Sequence, residues 1–411
     1  MNVRRSAAAL AAAAVIGVAA TPVAQAADPS PSASPSVAIP SGLYGSGDPT
    51  YDGVWRQSLA LLAQDTVGVR PADEAVAWLT GQQCANGAFA SFRADTAKAC
   101  DAKTMLDTNA TSAAVQALVA LGGHDTETGK AVDWLKSVQN EDGGWGYNAG
   151  SPSDANSTSI VIGALAVAGE KPAEVRGEDG KGESPYDALL GFSVPCDEDG
   201  GGAFAYQPGK KGELAANADA TAAGVLGALG KGLTTPAAKQ ADTPECERAK
   251  TPEQAAANGA AYLAGAVAKD GHLVSALPGA EDQPDYGNTA DAVVALAAQG
   301  GAERAAKPLE WLEKNSADWA KQSGPAAYAQ LIFAALAGQT DPHNFGGADL
   351  VEQLGATGPA PQAAERGAEP GKRVADEDDG GNTVWWTVGA LFVAGIGIGF
   401  LISGRKKGQQ G

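Results

Sequence analysis

The sequence predicts an all-α protein, an (α/α)6 toroid of helical-hairpin repeats, on three observations. The chain repeats itself: the phrase running from Ala75 through Trp78-Leu79 to Gln83 returns from Ala131 through Trp134-Leu135 to Gln139, with weaker echoes at Tyr262-Leu263 and Trp311-Leu312. Each copy precedes a Gly- and Asp-rich turn and then an alanine-rich apolar segment, at 110–121, 157–168, 218–229, 288–299 and 325–337. Ala, Leu and Val at this length favour helix over strand. These second segments are apolar almost all round, as from Ser159 to Ala168, whereas the repeat phrases carry charges such as Lys130, Asp133 and Lys136. A helix apolar on every side belongs inside, an amphipathic one outside. Helices near 54–64 and 347–354 bring the total to about twelve, alternating inner and outer. Closing that stack into a ring leaves no exposed end; an open solenoid needs polar caps, and none is clear here.

In chain order, residues 1–26 read as a signal peptide. Arg4 and Arg5 form its basic region, Ala7 to Ala20 its apolar region, and Ala24-Gln25-Ala26 a small-x-small cleavage site. The Ser-Ala-Ala-Ala that follows the arginines favours the general secretory route over the twin-arginine one. Residues 27–47 are a Pro- and Ser-rich disordered linker, 48–356 the toroid, and 357–383 an acidic linker. The run 384–402 has the length and hydropathy of a transmembrane helix, with Trp385 and Trp386 at its outer margin. Arg405-Lys406-Lys407 mark 403–411 as a cytoplasmic basic tail, so the toroid is expected outside a single-pass anchor. Leu354-Gly355-Ala356-Thr357-Gly358 is similar to the Leu-Pro-x-Thr-Gly signals that sortases cut. Its Gly in second place and its distance from the apolar run make wall attachment the lesser alternative.

Composition narrows the chemistry. Lys and Arg total 29 against 48 Asp and Glu, a net charge of −19 that repels a phosphate backbone and excludes nucleic acid as a partner. Three histidines, four cysteines and two methionines leave little for a transition-metal, iron–sulfur or haem site, so no metal or cofactor is identified. In an exported chain the cysteines are expected as disulfides. Cys84 pairs most simply with Cys100 and Cys196 with Cys246, one of three connectivities.

The segment Gln139-Asn-Glu-Asp-Gly143-Gly-Trp145-Gly resembles the Gln-to-Trp repeat of squalene and terpenoid cyclases and of protein prenyltransferase β-subunits. Gln83-Cys-Ala-Asn-Gly87-Ala-Phe89 keeps the offsets with Phe for Trp; Val267 to Leu273 is a degenerate copy and Asp199 to Phe204 a partial one. In physical terms Gln can cap a neighbouring helix end, Gly permits a sharp reversal, and the aromatic packs on the next hairpin. The resemblance therefore implies the toroid more than it implies an activity. The cyclases' acidic motif, Asp-x-Asp-Asp, matches only Asp376-Glu377-Asp378-Asp379, a solvated charge run in the acidic linker. The acidic turns Glu141-Asp142 and Asp197-Glu198-Asp199 fall in loops. No prenyltransferase-like zinc site is readable from His124, His272 and His343, and Gly81-Gln-Gln-Cys84-Ala does not supply a thioester motif. No catalytic residue is assigned, and the balance leans away from an enzyme.

A polar phrase opens each inner helix. Leu106-Asp107-Thr108-Asn109-Ala is similar to phrases opening inner helices in the intrinsic-factor and transcobalamin family of cobalamin carriers. N-capping accounts for part of this polarity. In a toroid, however, all inner-helix N-termini share one mouth, where Asp107, Thr108, Asn109, Asn156, Thr158, Asp219, Asn288 and Asp291 would converge. Trp145, Tyr147, Phe204, Tyr206 and Tyr328 could pack on a ligand, and His272 could ligate cobalt or sit on a surface turn. The resemblance implies a carrier of cobalamin or another corrinoid, or of a small hydrophobic ligand, handed to a transporter. This sequence lacks the carriers' second, β-rich domain, so either a separate ligand-closing protein completes the site or the ligand is something else. A divergent cyclase-like enzyme and a surface adhesion or wall-polymer module are the alternatives. A cavity carboxylate buried in apolar surroundings would favour the enzyme.

Overall fold

The computed structural model describes residues 38–362, except 178–179, 181, 242–244 and 277–282. The signal peptide, the membrane span, the basic tail and most of both linkers lie outside the described residues. Thirteen α-helices and two pairs of two-residue strands are described.

Six helices form the inner layer: α1 (Gly53–Thr66), α3 (Thr108–Leu121), α5 (Ala155–Val167), α7 (Ala218–Ala228), α9 (Tyr286–Gly300) and α12 (Pro325–Ala337). Each packs on the next, and α12 packs back on α1, so the ring is closed as expected. The outer layer is α2 (Asp73–Gly81), α4 (Asp125–Ser137), α6 (Pro185–Gly191), α8 (Pro252–Ala266), α10 (Ala302–Asn315) and α13 (Leu350–Gly355), each against its inner partner, with the short α11 (Ala317–Ser323) inserted before α12. Small residues make this close packing possible. Ala292, Ala295, Ala334 and Ala335 are fully buried, and at Gly227 a β-carbon would strike Ser159 of the neighbouring inner helix.

The repeated turns lock the hairpins together. The backbone N–H of Phe89, Trp145, Phe204 and Leu273 donates to the hydroxyl of Thr111, Thr158, Thr221 and Thr289, at 2.9, 3.1, 2.9 and 3.0 Å. Each threonine lies in the first turns of the inner helix that follows. Gln139 Nε2 donates to the Gly143 carbonyl at 2.7 Å and Gln83 Nε2 to that of Gly87 at 2.9 Å, so the repeat glutamine clamps its own turn, and Gln83 Nε2 also reaches the Glu127 carbonyl in the first turn of α4 at 2.8 Å. Gly87 and Gly143 have φ of +94° and +82°, and a β-carbon on either would run into the backbone of the next hairpin, at Lys130 and Ser184. The strands β1 (Phe204–Ala205) and β2 (Ala216–Asn217), and β3 (Leu273–Val274) and β4 (Pro284–Asp285), are antiparallel pairs that lead from two such turns into α7 and α9. The apolar periodicity gave no sign of them, because two residues are too few to show alternation.

The ring is larger than the 48–356 expected. Tyr44, fully buried, donates its hydroxyl to the Pro359 carbonyl at 3.0 Å, and the Gly45 N–H donates to the Thr357 carbonyl at 2.8 Å. Gln362 binds the Arg70 and Pro71 region. Residues 41–47 and 357–362 are therefore the seam of the ring and not linker. The sortase-like stretch forms the end of α13 and this seam: Leu354 is fully buried and Gly358 lies against the Tyr44 ring. It is a folded turn, not the extended accessible peptide that a sortase cuts. The connection after α7 closes the other end of the ring: Leu233 N–H donates to Gln116 Oε1 of α3 at 2.8 Å and Ala238 N–H to the Ala297 carbonyl of α9 at 2.9 Å.

Both disulfides form as paired above, Cys84–Cys100 and Cys196–Cys246. The second closes a loop of 50 residues that includes this connection, so Cys196→Ser with Cys246→Ser is expected to lower stability by about 2–4 kcal/mol, read by urea unfolding. Among the described residues no helix is long and apolar enough to cross a membrane.

Candidate functional site

A cavity of about 260 Å³ lies among the six inner helices and takes side chains from every one of them. Its lining is ordered in tiers by register from the helix N-caps. Two residues past the caps Asp107, Asp154 and Asn217 stand Asn109, Asn156 and Asp219. One turn deeper, six residues past their caps, are Ile160, Ala223, Asp291 and Gln330. Below them Leu226, Val294 and Phe333 make an apolar tier with Leu233 from the closing connection, while α1 adds Leu59 and, near its N-terminus, Trp55. The polar groups therefore cluster toward the N-terminal mouth and the apolar ones toward the closed end.

Two carboxylates dominate this wall. Asp219 accepts from Asn156 Nδ2 at 2.8 Å, and Asp291 from Gln330 Nε2 at 3.1 and 3.2 Å. Burial pushes Asp291 up to about 7, and the charge of Asp219 adds to it while Gln330 opposes it. Burial also raises Asp219, which Asn156 opposes and the charges of Asp285 and Asp154 reinforce. Among the described residues no Lys, Arg or His lines the cavity. Asn109 Oδ1 and Asn156 Oδ1 are buried without a hydrogen-bond partner.

Of the residues expected to meet at the mouth, Asn109, Asn156, Asp219 and Asp291 line this cavity. Asp107 is an N-cap: it accepts from Ala110 N–H at 2.8 Å and from Ser91 Oγ at 2.8 Å. Asn288 folds back on Asp285, with its Nδ2 donating at 2.7 Å. Thr108 is fully buried and Thr158 is held by the Trp145 turn, so neither presents a hydroxyl to the cavity. Trp145 and Phe204 are core residues, 1% and 0% exposed, because the repeat turns them into the space between hairpins. Tyr328 is also buried. Tyr147 and Tyr206 are exposed, on the turns whose carbonyls accept from Thr108 and Ala155 N–H at the inner-helix N-termini. His272 stacks on Trp311 with ring centroids 4.2 Å apart, away from the cavity. Trp55, Leu233, Gln330 and Phe333 were not anticipated. Gln330 had a signal, as a lone amide within the apolar Ala329 to Ala337 stretch.

No group of three or more His, Cys, Asp or Glu is placed to hold a metal ion among the described residues. The acidic turn at Asp142 is structural, accepting from Gly144 N–H and Ser153 Oγ.

No protein-family model matches the sequence, and no curated protein matches it either. Among solved structures, it is similar to a protein from Actinoplanes, at 15% identity and a TM-score of 0.47, over 74% of this chain and 96% of that one. It is also similar to ent-copalyl diphosphate synthase from Streptomyces platensis, at 15% identity and a TM-score of 0.46, over 70% of this chain and 50% of the synthase.

Proposed function

We propose that the protein is an exported binding toroid that takes a compact, largely apolar small molecule into the space between its inner helices. One observation carries this reading: six helices contribute to a single cavity whose floor is apolar and whose polar groups gather at one end. The two disulfides support an oxidising, extracellular setting, and the apolar run 384–402 supports a membrane anchor that holds the toroid outside. A corrinoid is too large for this space, since about 260 Å³ falls below the roughly 300–1,000 Å³ of drug-sized sites. It would have to lie across the mouth, over Tyr147 and Tyr206, beneath a second protein. The inner cavity favours a smaller ligand, passed to a transporter or partner.

A second reading rests on Asp291. A carboxyl that keeps its proton to about pH 7 beside an apolar wall is suited to general-acid chemistry on an apolar substrate, and the carboxylate, not a metal, would then be the catalytic group.

Thermal unfolding tests the binding reading. Compact apolar ligands are expected to raise the midpoint of the disulfide-intact protein, because a ligand that prefers the folded state stabilises it. Ala223→Phe fills the second tier and is expected to abolish the rise. A rise with cyanocobalamin that survives Ala223→Phe would move the site to the mouth, and release of a cyclised or hydrated product from an isoprenoid would establish the acid reading.

A further inference from the structure

We infer that the ligand of this cavity is a cation, a primary or secondary ammonium carried on an apolar body. The inference rests on the inner-cavity reading above and concerns what that cavity selects.

The argument is an inventory of donors and acceptors. Two of the wall's three amides have their donors engaged: Asn156 Nδ2 binds Asp219 and Gln330 Nε2 binds Asp291. Because a carboxylate accepts only, these contacts also fix which amide atom faces away, and Asn156 Oδ1 is left buried with no partner. Asn109 Oδ1 is in the same position on the neighbouring helix. What the polar end offers a ligand is chiefly the acceptor capacity of two carboxylates. A ligand that brings N–H donors satisfies it, and one that brings only acceptors does not.

Charge points the same way. Asp219 and Asp291 stand on adjacent inner helices and repel each other, and Asp285 from the strand before α9 and Asp154 from the N-cap of α5 add to that field. The facing elements offer no compensation, since α12 presents Gln330, α3 presents Asn109 and α1 presents Trp55 and Leu59. Lys231 borders a small adjoining space on the Leu233 side. A phosphate or carboxylate ligand is repelled here, whereas an ammonium neutralises the pair beside the aromatic wall of Trp55. The tiers set its orientation, with the ammonium among Asn109, Asn156, Asp219 and Asp291 and the apolar body toward Phe333 and Leu233.

The test uses three probes with one apolar body, octylammonium, octan-1-ol and octanoate, titrated calorimetrically into the intact, disulfide-bonded chain. Octylammonium is expected to bind at least tenfold more tightly than octanol, with octanoate weakest. Its affinity should rise between pH 6 and pH 8, with a proton released on binding, as Asp291 gives up its proton to the pair. In Asp219→Asn with Asp291→Asn the amine and the alcohol should bind alike, and the octanol affinity of the variant reports that its cavity is intact. Should the alcohol or the carboxylate bind as tightly as the amine to the unaltered protein, the cation inference falls while the cavity reading stands. Absence of binding by all three overturns the cavity reading and the inference with it.

Discussion

Asp291→Asn should make the protein more stable at pH 8 and remove the fall in stability that Asp291 imposes between about pH 4 and pH 7. The unfolded carboxyl titrates near its model value of 3.8 and the folded one near 7, so between these values the folded state holds the extra proton. Stability contributed by the protonated group is present at low pH and falls as pH rises toward 7, where the folded carboxyl must also ionise. A displacement of this size corresponds to about 4 kcal/mol at full ionisation, an upper figure because Asp291 keeps some surface toward the cavity. Asparagine preserves the shape and can still meet Gln330, but it carries no charge. Urea unfolding of both proteins at pH 5 and pH 8 checks this: the separation at pH 5, about 1.6 kcal/mol, should be less than half of that at pH 8. Equal separation at both pH values would assign the effect to packing.

Trp145→Ala is expected to cost about 3–5 kcal/mol, among the largest effects of any single substitution in the ring. The side chain is 1% exposed, and its indole Nε1–H donates to the Leu135 carbonyl at 2.7 Å. It therefore fills space between two hairpins and also satisfies a carbonyl near the end of α4. Trp145→Phe separates these contributions. Phe89 occupies the equivalent place one hairpin earlier with no such donor, so the phenyl ring should recover much of the packing but leave the Leu135 carbonyl only the longer bond from Val138 N–H at 3.4 Å. The midpoint of chemical unfolding for the three proteins should fall in the order tryptophan, phenylalanine, alanine.

The ring was legible because its cause is local and repeated. The inner helices lie within about two residues of the apolar segments read from the sequence, for example Thr108–Leu121 against 110–121 and Pro325–Ala337 against 325–337. Both disulfides were legible as closures between cysteines that follow one another in the sequence. The site was legible only in part, and the reason is register. A polar residue at the start of an inner helix can cap the helix, hold the preceding turn, or face the centre, and the three positions are neighbours in sequence. Asp107 and Asp154 cap, Thr111 and Thr158 hold turns, while Asn109, Asn156 and Asp219 face inward. Composition treats all of these alike. The aromatics misled for a related cause: Trp145 and Phe204 are required by the repeat itself, and a residue that knits hairpins together is not free to meet a ligand.

The join between Tyr44 and Pro359 also governs how the molecule can assemble. An open array of hairpins can grow one unit at a time, each new pair resting on the last. Here the two partners of a buried contact are separated by 315 positions, so synthesis from the N-terminus must deliver nearly the whole ring before its ends can meet. Until then the flanks of α1 and α12 that pack on each other stand open to water. Such a distant contact imposes a large loop-closure cost early and gives its stabilisation late, which slows folding. The ring is thus a clasp that shuts in a single late event, and a chain truncated before residue 359 is expected to remain open and sticky rather than form a smaller ring.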